Sequence, residues 1–66
     1  MTTTELANLI GCHMTTASRY LNGHRLPGVA KLEQIRVALG MTHEEAQALW
    51  AQGPKTFGAF LRKRSV

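Results

Sequence analysis

This chain of 66 residues is poor in the things small proteins use to hold themselves together or to do chemistry. Its single cysteine, Cys12, excludes an internal disulfide, and without that staple the default setting is a reducing, cytoplasmic one. No apolar run approaches the roughly 18 residues of a membrane-spanning helix, and no signal-peptide pattern stands at the N-terminus. A soluble protein with no membrane partner is expected. Acidic residues number four, and Glu5, Glu44 and Glu45 fall in first helical turns, where a carboxylate favours the helix dipole. With Glu33 read as a solvated surface residue, no carboxylate is left for general acid–base work. Cys12 and the three histidines, His13, His24 and His43, lack zinc-site spacing. There is no phosphate-cradling glycine loop and no Ser/His/Asp set. No enzyme, metal or cofactor is expected.

What is present is apolar and basic. Hydrophobic residues make up 44% of the chain with only 6% aromatics, which suits one small all-α domain spanning residues 1–66. Eight Lys/Arg against four Asp/Glu give a formal charge of +4, which fits a polyanionic partner.

Thr2 and Glu5 form a capping box, so the first helix starts near the N-terminus and runs to about Ile10, burying Leu6, Ala7 and Ile10. Ala7 is small, as a close helix crossing requires. Gly11 and Cys12 make the turn, Gly11 at positive φ and Cys12 as a small buried hydrophobe. A second helix follows from about Met14 to Leu21, with His13 as N-cap, Ala17, Tyr20 and Leu21 facing inward, and Asn22-Gly23 as the stop. A third helix is expected over Val29–Leu39 with Val29, Leu32, Ile35, Ala38 and Leu39 on its inner side, and Lys31, Glu33, Gln34 and Arg36 mostly solvated. Thr42 and Glu45 form a second capping box, Met41 can staple onto Ala46, and a fourth helix runs to about Gln52 with Ala46, Leu49 and Trp50 inward. Gly53-Pro54 closes it. In the last stretch, Phe57, Phe60 and Leu61 sit at helical spacing and Thr56 could cap. Gly58 costs that helix about 1 kcal/mol relative to Ala, and the alternation of Phe57, Ala59 and Leu61 also permits a strand. The expected architecture is a helix-turn-helix bundle of four helices plus a short C-terminal helix, with the strand as the alternative.

From Thr3 to Trp50 these residues resemble the Cro/CI-type, or XRE-like, helix-turn-helix family of phage and bacterial repressors. The resemblance is carried by Glu5-Leu6-Ala7, Gly11-Cys12, Thr15-Thr16-Ala17-Ser18-Arg19-Tyr20-Leu21-Asn22-Gly23, Pro27, and Ala38-Leu39-Gly40-Met41-Thr42, all in the family's order. The sequence departs from it in two places. The family has a further helix before the helix-turn-helix, whereas here the motif starts at about residue 2 and runs to about residue 22. Residues 55–66 would then brace the exposed surface or form a dimer interface, through Phe57, Phe60 and Leu61. His13 stands where members carry Ser or Thr. Histidine caps poorly, so the second helix is expected to lean there on a DNA phosphate or another neighbour.

The resemblance implies that the second helix enters the DNA major groove. By position, Met14, Thr15, Ser18 and Arg19 would face base edges with Thr16 close by, and Arg19 suits a bidentate contact to guanine. Thr3 with the amides of the first turn, together with His13, Asn22, His24 and Arg25, would hold phosphates. Arg62, Lys63 and Arg64 have three readings: dipole partners of a last helix, phosphate contacts, or solvated charges. Tyr20 and Trp50 read as core rather than base-stacking platforms, which favours duplex DNA over single strands or RNA. The implied protein is a cytoplasmic homodimeric repressor in a bacterial or phage-infected cell, Cro-like or an immunity repressor, acting on a two-fold operator without a small-molecule ligand. An excisionase-like or antitoxin role, or a protein-interaction module built on the same fold, are the alternatives.

Overall fold

Residues 1–64 are described by a computed structural model, in which the chain runs α1 (Thr3–Ile10), α2 (Met14–Leu21), α3 (Val29–Leu39), α4 (His43–Ala51) and α5 (Pro54–Lys63). Ser65 and Val66, the end of the expected tail, lie outside the described residues. Both capping boxes form. Thr2 Oγ1 accepts from the Glu5 N–H at 3.2 Å while the Glu5 carboxylate accepts from the Thr2 N–H at 2.8 Å. Thr42 and Glu45 repeat the exchange at 3.1 and 2.9 Å. These bonds hold the Glu5 and Glu45 carboxyls below the ordinary carboxylate range, the backbone bond from the threonine being the larger cause in each.

Gly11 turns the chain from α1 into α2 at φ +62°, a conformation that costs glycine little. Leu6, Ala7 and Ile10 of α1 then meet Ala17, Tyr20 and Leu21 of α2, and all six are buried. Leu32 and Ile35 of α3, Met41, Ala46 of α4, and Phe57 and Leu61 of α5 complete one core. Each large side chain removed from water there contributes roughly 1.5–3 kcal/mol.

The C-terminal segment is a helix, and among the described residues there is no strand. Pro54 occupies the first turn of α5, where its missing N–H is no loss, and Gly53 rather than Thr56 is the N-cap. α5 packs on α2 and α4. Gly58 is the reason it can. A Cβ there would lie 2.6 Å from the Tyr20 carbonyl oxygen and 2.7 Å from that of Leu21, so a helix-weakening residue is what lets the backbones cross. Gly23 does the same from the other side: it sits at φ +76°, and a Cβ on it would come within 2.9 Å of Lys55 Cα.

Several expectations for α3 and α4 are corrected. Val29 is 88% exposed and Ala38 is exposed too, because the inner stripe of α3 is confined to Leu32 and Ile35 with Leu39 half-buried. Lys31, Glu33 and Arg36 are half-buried structural residues rather than solvated ones. Lys31 Nζ donates to the Ile10 carbonyl at 2.8 Å, satisfying the end of α1. Arg36 forks onto the Glu33 carboxylate, with Nε at 2.9 Å, and also donates to the Met41 carbonyl at 3.0 Å. The guanidinium holds the Glu33 carboxyl below its ordinary range, chiefly by hydrogen bonding. Trp50 is 38% exposed, and its Nε1 donates to the Pro27 carbonyl at 2.9 Å, so it ties α4 to the loop before α3 instead of filling the core. Cys12 is half-buried against the core rather than fully inside it.

Candidate nucleic-acid interface

Helical geometry sorts α2 into two faces. At about 100° per residue, Met14, Ser18, Asn22, Thr15 and Arg19 fall in that order on one continuous arc of roughly 140°. Tyr20, Ala17 and Leu21 occupy the opposite side and are buried, and Thr16 stands half-buried at the border. Met14 is 52% exposed; Thr15, Arg19 and Asn22 are exposed and Ser18 half-buried. The outer face therefore carries hydroxyls, one amide, one thioether and one guanidinium. It carries no carboxylate.

Electrostatics extend that pattern beyond the helix. No Asp or Glu occurs between Leu6 and Leu32, a stretch that holds Arg19, Arg25 and Lys31. The four carboxylates lie elsewhere, and three of them are engaged: Glu5 and Glu45 on helix amides, Glu33 on Arg36. Among the described residues neither Arg19 nor Arg25 has a salt-bridge or hydrogen-bond partner for its guanidinium, so both charges face solvent uncompensated.

His13 performs its own capping. Its Nδ1 accepts from the Thr15 N–H at 3.2 Å, which corrects the expectation that the start of α2 needs an outside neighbour. With Nδ1 used as acceptor, the neutral ring carries its proton on Nε2, leaving an outward donor at the mouth of the helix. His24 and Arg25 are exposed in the loop that follows α2. At the start of α1 the arrangement is less open than expected. The Thr2 and Glu5 amides are used by the capping box, which leaves the amides of Thr3, itself half-buried, and Thr4, next to a carboxylate.

Asn22 is the C-cap of α2, where the sequence places the stop. It lies on the arc between Ser18 and Thr15, and its Nδ2 donates to Ser18 Oγ at 3.1 Å. The i,i+4 spacing of a serine and an asparagine was the available signal.

The tail residues separate. Phe57 and Leu61 are 1% and 0% exposed within the single chain, and Phe60 is half-buried. Arg64 donates from Nη2 to the Leu39 carbonyl at 3.0 Å and lies 5.8 Å over the Phe60 ring, so it closes the end of α3. Arg62 and Lys63 are exposed in the last turn of α5, and the Met1 nitrogen donates to the Arg62 carbonyl at 3.1 Å.

Among the described residues no helix is long and apolar enough to cross a membrane, and no three His, Cys, Asp or Glu side chains cluster as metal ligands. No curated protein and no solved structure matches the chain. A helix-turn-helix family model matches residues 1–46, which cover α1, α2, α3 and the start of α4. With that match over most of its length, the chain belongs to the Cro/CI-type (XRE-like) helix-turn-helix family of DNA-binding transcription regulators.

Proposed function

We propose that this regulator is a repressor that lays α2 in the major groove of duplex DNA, as a homodimer on a two-fold operator. A phage Cro-like or immunity repressor is the form that best fits. One observation carries the reading: the outer arc of α2 is hydrogen-bonding and carboxylate-free, with Arg19 unpaired at its edge. Arg19 is the principal base reader, donating two hydrogen bonds to guanine O6 and N7. Met14 and Thr15 pack on thymine methyls or touch base edges, with Thr16 and Ser18 beside them. His13 Nε2, His24, Arg25 and the Thr3 amide contact phosphates and set the register.

Dimerisation follows from half-site geometry, since one small module buries too little surface to discriminate a site in a genome. Phe57 and Leu61 are consumed in the core, so the second copy docks on other surface. Selection of bound duplexes from a random library tests the whole reading. The expected product is a pair of related half-sites about one helical turn apart, with affinity falling steeply as salt rises. A salt-independent interaction, or no enriched sequence, would point instead to a protein partner.

A further inference from the structure

The Asn22–Ser18 contact has a polarity, and it bears on what the protein reads. A serine hydroxyl offers one proton and two lone pairs, and a helical serine commonly spends its proton on the carbonyl four residues back. Here Ser18 Oγ is turned the other way along the helix, where it accepts from Asn22 Nδ2 at 3.1 Å. Among the described residues it makes no other hydrogen bond, so its proton is left for an outside acceptor. Both side chains lie in the middle of the exposed arc of α2, flanked by Met14 and Thr15 rather than by the buried residues.

We propose that Asn22 is a positioning residue that commits the Ser18 hydroxyl to act as a hydrogen-bond donor towards a base edge. This rests on the reading of α2 as the groove helix and adds to it a specificity at one position. Guanine, adenine and thymine each present a major-groove acceptor, at N7, O6 or O4, whereas cytosine presents only its N4 amino donor. The pair therefore discriminates against cytosine at a single place in each half-site. Asn22 acts there through Ser18 and not as a phosphate contact.

The test uses the full chain, the duplex recovered from the random library, and versions of that duplex with every single base-pair change. In the wild type, cytosine at one position in each half-site weakens binding about fivefold, the size of one net hydrogen bond. Ser18→Ala and Asn22→Ala each reduce that discrimination to below about twofold at the same position, and the double variant goes no further, as coupled residues require. Ser18→Ala keeps the asparagine at the end of α2, so it remains informative even if Asn22→Ala costs stability. If Ser18→Ala flattens the preference and Asn22→Ala leaves it intact, Asn22 does not position the hydroxyl and the proposal fails. Equal weakening by Asn22→Ala on every duplex, random DNA included, would make Asn22 a phosphate contact and also overturn it. Arg19→Ala is the control: it removes preference at a different base pair. If neither Arg19→Ala nor either arc variant alters any base preference, α2 is not the reading helix at all, a failure distinguishable from that of the Ser18–Asn22 pair alone.

Discussion

α2 and α5 are short helices of similar build, 8 and 10 residues, each with one buried face, and they cross at Gly58. Their free faces differ. α2 leaves Thr15, Arg19 and Asn22 exposed and Ser18 half-buried, while α5 carries Lys55, Arg62 and Lys63 outside and buries Phe57 and Leu61. Neither is long enough to hold its shape alone in water. The difference shows how an open helix face is made rigid: α2 can leave an arc of roughly 140° unpacked because another helix grips its C-terminal turn through backbone contact. His13 secures the opposite end.

That division can be tested by attacking each helix in turn. The largest effect is expected from Phe57→Ala, which empties a fully buried site and costs about 3–5 kcal/mol, most of the stability of a chain this size. Thermal melting by circular dichroism should show a largely unfolded protein at 25 °C. A well-folded variant with altered sedimentation would instead place Phe57 at an interface between chains. Next comes Gly58→Ala. Alanine favours a helix interior by about 1 kcal/mol, yet the new Cβ would press on two backbone oxygens, so a net loss of about 1–3 kcal/mol is expected in denaturant unfolding. A gain in stability would mean that α5 does not grip α2 as described.

Arg19→Ala attacks the other helix. It should leave the melting temperature unchanged and cost about 1–3 kcal/mol on the selected duplex, with relaxed preference at one base pair. Equal weakening on random DNA would assign Arg19 to phosphate. The smallest effect concerns acid. Glu5, Glu33 and Glu45 are all held below the ordinary carboxyl value of 4.5. A carboxyl depressed in the folded state contributes stability that is complete above its unfolded value and disappears as pH falls through the folded one. The melting temperature should therefore be level above pH 4.5 and decline below it. Glu5→Gln combined with Glu45→Gln should make the acid decline shallower, and an unchanged profile would remove the capping boxes from the acid response.

The legible parts were those governed by neighbours in the chain. Thr2 with Glu5 and Thr42 with Glu45 announce helix starts because a hydroxyl and a carboxylate three residues apart can trade backbone amides with no help from elsewhere. The inner face of α2, Ala17, Tyr20 and Leu21, followed from periodicity. Val29, Ala38 and Trp50 were misread because periodicity names an apolar face without saying how much of it another helix will cover. Arg36, Lys31 and Arg64 were misread for a related reason. Their partners are backbone carbonyls near the ends of helices, and which helix end comes within reach depends on the packed arrangement.

By itself, then, the sequence determined the first four helices, the glycine turn between α1 and α2, the family, and the set of side chains available for the outer face of α2. Those are matters of local hydrogen bonding, backbone conformation and 3.6-residue spacing, which act over a few residues. The tertiary structure decided the rest: that the tail is a brace whose Gly58 admits the end of α2, and that Lys31 and Arg64 reach the carbonyls that end α1 and α3. Steric closeness of two backbones and the reach of a side chain to a distant helix end are properties of the packed chain, so no stretch of sequence contains them alone.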